Sequence, residues 1–199
     1  MYQVVQPILD RNLLWASTYG NHDRDYNLST EAIFEREKTW SNSLTRWDVQ
    51  ADIAGISNYW LPVYPSDGRA DVPALLLWFF DSRSGNEYQQ SSDAGERILQ
   101  ANWVDQTVVG WFTTTGDHLR DQNGTDVPSL AFIHILVNAM LAFQQSDPGM
   151  AANYEPGIKD DNPLDQQGYT EGNGGASESQ PPTVAKISRS LKLFSTLRA

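Results

Sequence analysis

Leu13-Leu14-Trp15-Ala16-Ser17-Thr18-Tyr19-Gly20-Asn21-His22-Asp23 is the stretch on which the fold turns. Residues 13–16 are a short run of bulky apolar side chains, the composition of a buried strand. Gly20 lets the backbone turn sharply where that strand ends. Asn21, His22 and Asp23 follow without a spacer, three side chains able to bind metal or move protons. In open α/β sheets the chemistry gathers just beyond the carboxyl ends of strands. The stretch therefore predicts an α/β protein whose site lies at residues 21–23.

Two further segments extend the sheet. Ala74-Leu75-Leu76-Leu77-Trp78-Phe79-Phe80 is an unbroken apolar run, which implies a strand over 73–80 buried on both faces. Residues 129–135 read as another buried strand ending at His134 and Ile135. Residues 57–63 have strand composition, with Pro62 marking an edge or an end. Two helices are expected. One spans 29–38, capped by Ser29 or Thr30, with Glu31 in its first turn and Ile33 and Phe34 facing inward. The other starts from Asn102 and runs to about Thr115, since Val104, Val108, Trp111 and Phe112 share one helical face; Gly116 would end it. Residues 91–100 are polar and carry no assignment. A short helix is expected over 138–145, and mostly loop over 146–180.

Gly20-Asn21-His22-Asp23 resembles the Gly-Asn-His-Asp/Glu block of the calcineurin-like metallophosphoesterases, the family that includes purple acid phosphatases. Residues 15–19, 77–83 and 131–135 appear around it in the family's order, and look most like the fungal members and the plant purple-acid-phosphatase-like proteins. The resemblance covers residues 1–170, a partial phosphoesterase domain; 171–199 read as flexible linker and basic tail, with an amphipathic helical pattern at Val184, Ile187, Leu191 and Phe194. It implies an incomplete two-sheet β-sandwich flanked by helices, with a mostly irregular C-terminal tail.

A phosphoester resists attack because its oxygens are negative; two metal ions offset this and ionise a bridging water. The resemblance implies two divalent or mixed-valence ions (Fe, Zn or Mn), with Asn21 and His134 as metal ligands. It implies His22 as general acid or transition-state stabiliser, oriented by Asp23. By residue type alone Asp23 could instead cap a turn, and His134 could be a core histidine bonded to a carbonyl. Asp81-Ser82-Arg83 could face a phosphate through Arg83 or simply turn the chain. His118 follows Gly116-Asp117, which is similar to the start of the family's Gly-Asp-x-x-Asp block, but Arg120 stands where that block needs its second acid, so His118 reads as a solvated helix-end residue.

The sequence also departs from the family pattern. Leu136 occupies the place of a common proline after the metal-binding histidine. The Asp-x-His and Gly-Asp-x-x-Asp blocks expected before Asn21, and the Gly-His-x-His block expected after Gly168, are absent from the chain. The expectation is a fragment of a phosphoesterase, inactive alone, acting in complete form on a phosphorylated small molecule or phosphoprotein. The expectation of a different class is a non-catalytic interaction protein on a degenerate phosphoesterase scaffold.

Composition narrows the partners. Net charge is −11 over 199 residues, and the last 19 carry +4, leaving −15 on residues 1–180. Such a body repels nucleic acid backbones. The absence of cysteine excludes disulfides and Cys-based zinc sites. No secretory signal and no membrane-spanning run is visible, so a cytoplasmic location is the default expectation.

Overall fold

The computed structural model describes residues 2–25, 27–68 and 71–135, and the backbone of 192–193. The helix expected over 138–145 and the loop over 146–180 lie outside them. The elements are α1 (Tyr2–Leu9), α2 (Thr30–Glu37), β1 (Tyr59–Val63), β2 (Leu75–Phe80), β3 (Asn86–Ser91), β4 (Arg97–Leu99), α3 (Gln106–Asn123), β5 (Ser129–Ile133) and β6 (Lys192–Leu193). They make a mixed α/β fold with two small sheets, one in the order β1-β2-β5-β6 and the other the β3–β4 hairpin.

β2 is the hub. It pairs antiparallel with β1, placing Tyr59 opposite Phe79, and parallel with β5, placing Trp78 opposite Ala131. Parallel neighbours need a crossover, and α3 supplies the helix of it. Leu76, Trp78 and Phe80 face α3 in one core with Val108, Val109, Leu119, Ala131 and Ile133. Phe79, with Leu77 packed beside it, lies in a second core with Tyr59, Leu61 and Phe132. Both faces are thus covered, which is why the run is apolar throughout; each such side chain contributes about 1.5–3 kcal/mol by burial. Phe112 meets Trp78 edge-on at 4.7 Å, and Tyr59 stacks on Phe79 at 4.5 Å.

α2 begins where its cap predicts: Ser29 Oγ accepts from Ala32 N at 3.2 Å, and Ile33 and Phe34 are buried. α3 differs from expectation at both ends. Asp105, not Asn102, caps it, accepting from Thr107 N at 2.9 Å, and the helix runs through Gly116 to Asn123. A helical glycine costs about 1 kcal/mol, less than the burial of Leu119 one turn further on returns.

Residues 13–16 are not a buried strand. Trp15 makes one parallel bridge to Ser43, while Leu13 and Leu14 are 52% and 68% exposed. A strand needs a neighbour on which to pair, and among the described residues none flanks the outer side of this segment. Residues 91–100, unassigned from sequence, close the β3–β4 hairpin, with Asn86 opposite Leu99. In the basic tail, Lys192–Leu193 pairs parallel with β5; the helical pattern at Val184, Ile187, Leu191 and Phe194 falls on residues outside the described ones. Among the described residues no helix is long and apolar enough to cross a membrane.

Candidate functional site

The segment 13–19 carries its buried end, Tyr19, to the carboxyl edge of β2 and β5, and the chain turns there over residues 20–25. β5 delivers His134 to the same edge. His134 Nε2–H donates to Asn21 Oδ1 at 2.9 Å, joining residues 113 positions apart. Gly20 makes this approach possible: a Cβ there would lie 3.0–3.2 Å from three atoms of the His134 ring. Ile135 N donates to Ser82 Oγ at 3.0 Å, which pins the end of β5 to the end of β2.

His22 points outward, its side chain 74% exposed, and its Nδ1 meets Asp25 Oδ2 at 2.7 Å. That hydrogen bond holds the Asp25 carboxyl below the usual carboxylate range. Asn86 Nδ2, from the start of β3, donates to the other Asp25 oxygen at 3.4 Å. Asp23 does not touch the imidazole; its Oδ2 accepts from Gly20 N at 2.6 Å and closes the turn. Asn21 and His134 therefore come together, His22 pairs with Asp25, and Asp23 is a turn cap. The missed residue was Asp25. A His-x-x-Asp spacing inside a tight turn was the signal that could have found it.

The surroundings are fixed by charge and hydrogen bonds. Asp81, buried at the end of β2, accepts from Ile56 N at 2.8 Å, Ser57 N at 3.5 Å and Arg83 N at 2.7 Å. Arg83 is committed to structure rather than turned toward a ligand. Its guanidinium donates to Trp103 O at 2.8 Å and Ile53 O at 2.6 Å and sits 3.8 Å from Asp105. Arg24 lies 3.9 Å from Glu87 in a cleft of about 320 Å³ beside the turn. His118 is exposed on α3, as expected.

Glu37 is 2% exposed behind Tyr19, among the side chains of Ser17, Ser43 and Thr45. Burial pushes its carboxyl above the ordinary value of 4.5, against the pull of these hydroxyls. The folded chain thus holds this proton more tightly than the unfolded chain. Its contribution to stability is full below pH 4.5 and falls as pH rises through the folded-state value. Glu37→Gln is expected to remove this decline. Urea midpoints measured from pH 4 upward should fall less steeply for the variant; parallel profiles would contradict the reading.

Asn21 and His134 offer two neutral donors for one metal ion. Among the described residues no group of three or more His, Cys, Asp or Glu could hold a metal, so these residues do not fit a di-metal centre. A divalent ion needs carboxylate or further imidazole ligands that they do not supply.

At one α/β sheet edge an Asn-His-Asp turn thus meets a histidine from the end of a parallel strand. By sequence comparison the chain has a distant similarity to two proteins named as phosphatases. It is 25% identical over 139 residues to phosphatase DCR2 of Saccharomyces cerevisiae, covering 68% of this chain and 22% of that protein. It is 26% identical over 148 residues to probable inactive purple acid phosphatase 28 of Arabidopsis thaliana, covering 68% of this chain and 36% of that protein. The chain thus spans between a fifth and two fifths of the length of these relatives. No family model and no solved structure matches it.

Proposed function

We propose that the chain is the central part of a metal-dependent phosphoesterase of the two-sheet sandwich type, catalytically silent by itself. In complete form the unit would hydrolyse a phosphate ester of a small molecule or protein, using water activated by two metal ions. The observation that carries this is the meeting of Asn21 with His134 at one sheet edge, beside an exposed imidazole backed by a carboxylate. In that reading Asn21 and His134 are metal ligands, and His22 donates a proton to the departing oxygen. Asp23 contributes by closing the turn that presents both Asn21 and His22.

Silence follows from the donor set. The purified chain, supplied with manganese, zinc or iron, is expected to turn over p-nitrophenyl phosphate no faster than its His22→Ala variant. Metal analysis should find less than one tightly held ion per chain. Two ions per chain with turnover abolished by His22→Ala would overturn the silent reading.

That no group of three or more His, Cys, Asp or Glu among the described residues is placed to hold a metal also favours a second reading, a non-catalytic interaction protein on this scaffold. The flanking genomic sequence separates the two. In-frame Asp-x-His codons on one side and Gly-His-x-His codons on the other support the enzyme unit; their absence supports the interaction protein.

A further inference from the structure

The family pattern assigns the orientation of His22 to the acid next to it, yet the geometry distributes the two acids of the turn differently. Asp23 is spent on the Gly20 amide at 2.6 Å, and Asp25 stands 2.7 Å from the His22 ring. Asp25 is itself held from a second element. Its side chain is 10% exposed, Asn86 Nδ2 donates to its free oxygen, and Gly85 beside Asn86 packs on the Asn21 carbonyl. The loop between β2 and β3 thus forms a platform under the dyad, while the imidazole stays in solvent.

We propose that Asp25 is the positioning residue of His22, fixing the proton of the neutral ring on Nδ1 and leaving Nε2 as the atom presented to a ligand. A carboxylate has no proton to donate, so at 2.7 Å the ring nitrogen must be the donor. The partner of one ring nitrogen decides the state of the other. With Nδ1 committed, proton transfer to or from a phosphoester passes through Nε2. This assignment rests on the reading of His22 as the proton-transferring group. It adds that one short loop, braced by Asn86, sets the geometry of that group.

The test is long-range nitrogen–proton NMR on the uniformly labelled full chain, at a pH where the ring is neutral. His22 is assigned by the loss of its signals in His22→Ala. The wild-type ring is expected to show the Nδ1-protonated pattern. Asp25→Asn should shift most of the population to the Nε2-protonated form, while Asp23→Asn leaves the pattern unchanged. Asp25→Glu, which keeps the carboxylate, should retain the Nδ1-protonated form, and it carries the test if Asp25→Asn does not fold. An Nε2-protonated wild type, a pattern indifferent to Asp25→Asn, a loss of the Nδ1 form in Asp25→Glu, or a switch caused by Asp23→Asn would each overturn the proposal. None of these readouts needs turnover. A silent chain with an Asp25-dependent tautomer keeps this inference standing, and the phosphoesterase reading then stands or falls on its own assay.

Discussion

Gly85→Ala is expected to destabilise the chain by about 3 kcal/mol or more, a large share of the stability of a small domain. Gly85 has φ +74°, a conformation that costs a residue with a side chain about 1–3 kcal/mol. Steric overlap adds more than this backbone cost. A methyl group at Gly85 would fall on the carbonyl oxygen of Asn21, far inside van der Waals distance. That oxygen belongs to backbone, so it can move only if the turn over residues 20–25 moves with it. The same methyl group would sit 3.4 Å from Asp25 Oδ1. The variant should therefore lower the urea midpoint and separate Asn21 from His134, read as increased amide exchange at residues 20–25. An unchanged midpoint would show that the two loops are not in contact in solution.

The second large effect is expected at Asp81. Its carboxylate accepts three backbone N–H groups, from Ile56, Ser57 and Arg83, while Asn58 Oδ1 accepts from its own N–H at 2.9 Å. Asp81→Ala leaves those three donors without their acceptor and removes a carboxyl that faces Arg24 and Arg83 and that burial pushes above the ordinary carboxylate range. Each orphaned buried group costs about 1–3 kcal/mol, and breaking a buried charge partnership costs about 3–5 kcal/mol. These costs overlap, so a loss of about 3–5 kcal/mol in urea unfolding is expected. Asp81→Asn keeps the shape and one acceptor oxygen and should lose less. If the alanine and asparagine variants match, packing rather than hydrogen bonding carries the effect. The loop over 54–58 should exchange its amides first in either variant.

Much of this was legible in the chain where one residue pattern decides one element. The unbroken run at 74–80 could only be a strand covered on both faces, and β2 is one. Ser29 followed by Glu31, Ile33 and Phe34 gave the start and inner face of α2. Reading failed where the outcome depends on a neighbour. Leu13 and Leu14 have strand composition, but composition does not say whether another strand lies alongside, and here they stay exposed. Gly116 looked like a helix stop because its local cost is visible in sequence and the packing of Leu119 is not. At the site, the meeting of Asn21 with His134 was implied by resemblance. The pairing of His22 with Asp25 is a property of the turn's path, which the order of residues 20–25 does not display. Arg83 looked available for a ligand for the same reason: its acceptors, Trp103 O and Ile53 O, lie 20 and 30 positions away.

The β3–β4 hairpin also decides where the molecule can be handled. Its root touches the dyad through Asn86, and Tyr88 Oη donates to Asn27 O at 3.0 Å, but residues 89–99 are exposed and pair with each other rather than with the four-stranded sheet. A peptide tag or a fluorescent label spliced into the tip at 93–95 would ride on a short arm, clear of the core. It would still be anchored beside His22, so a change at the turn could be reported from outside as a change in the label's mobility.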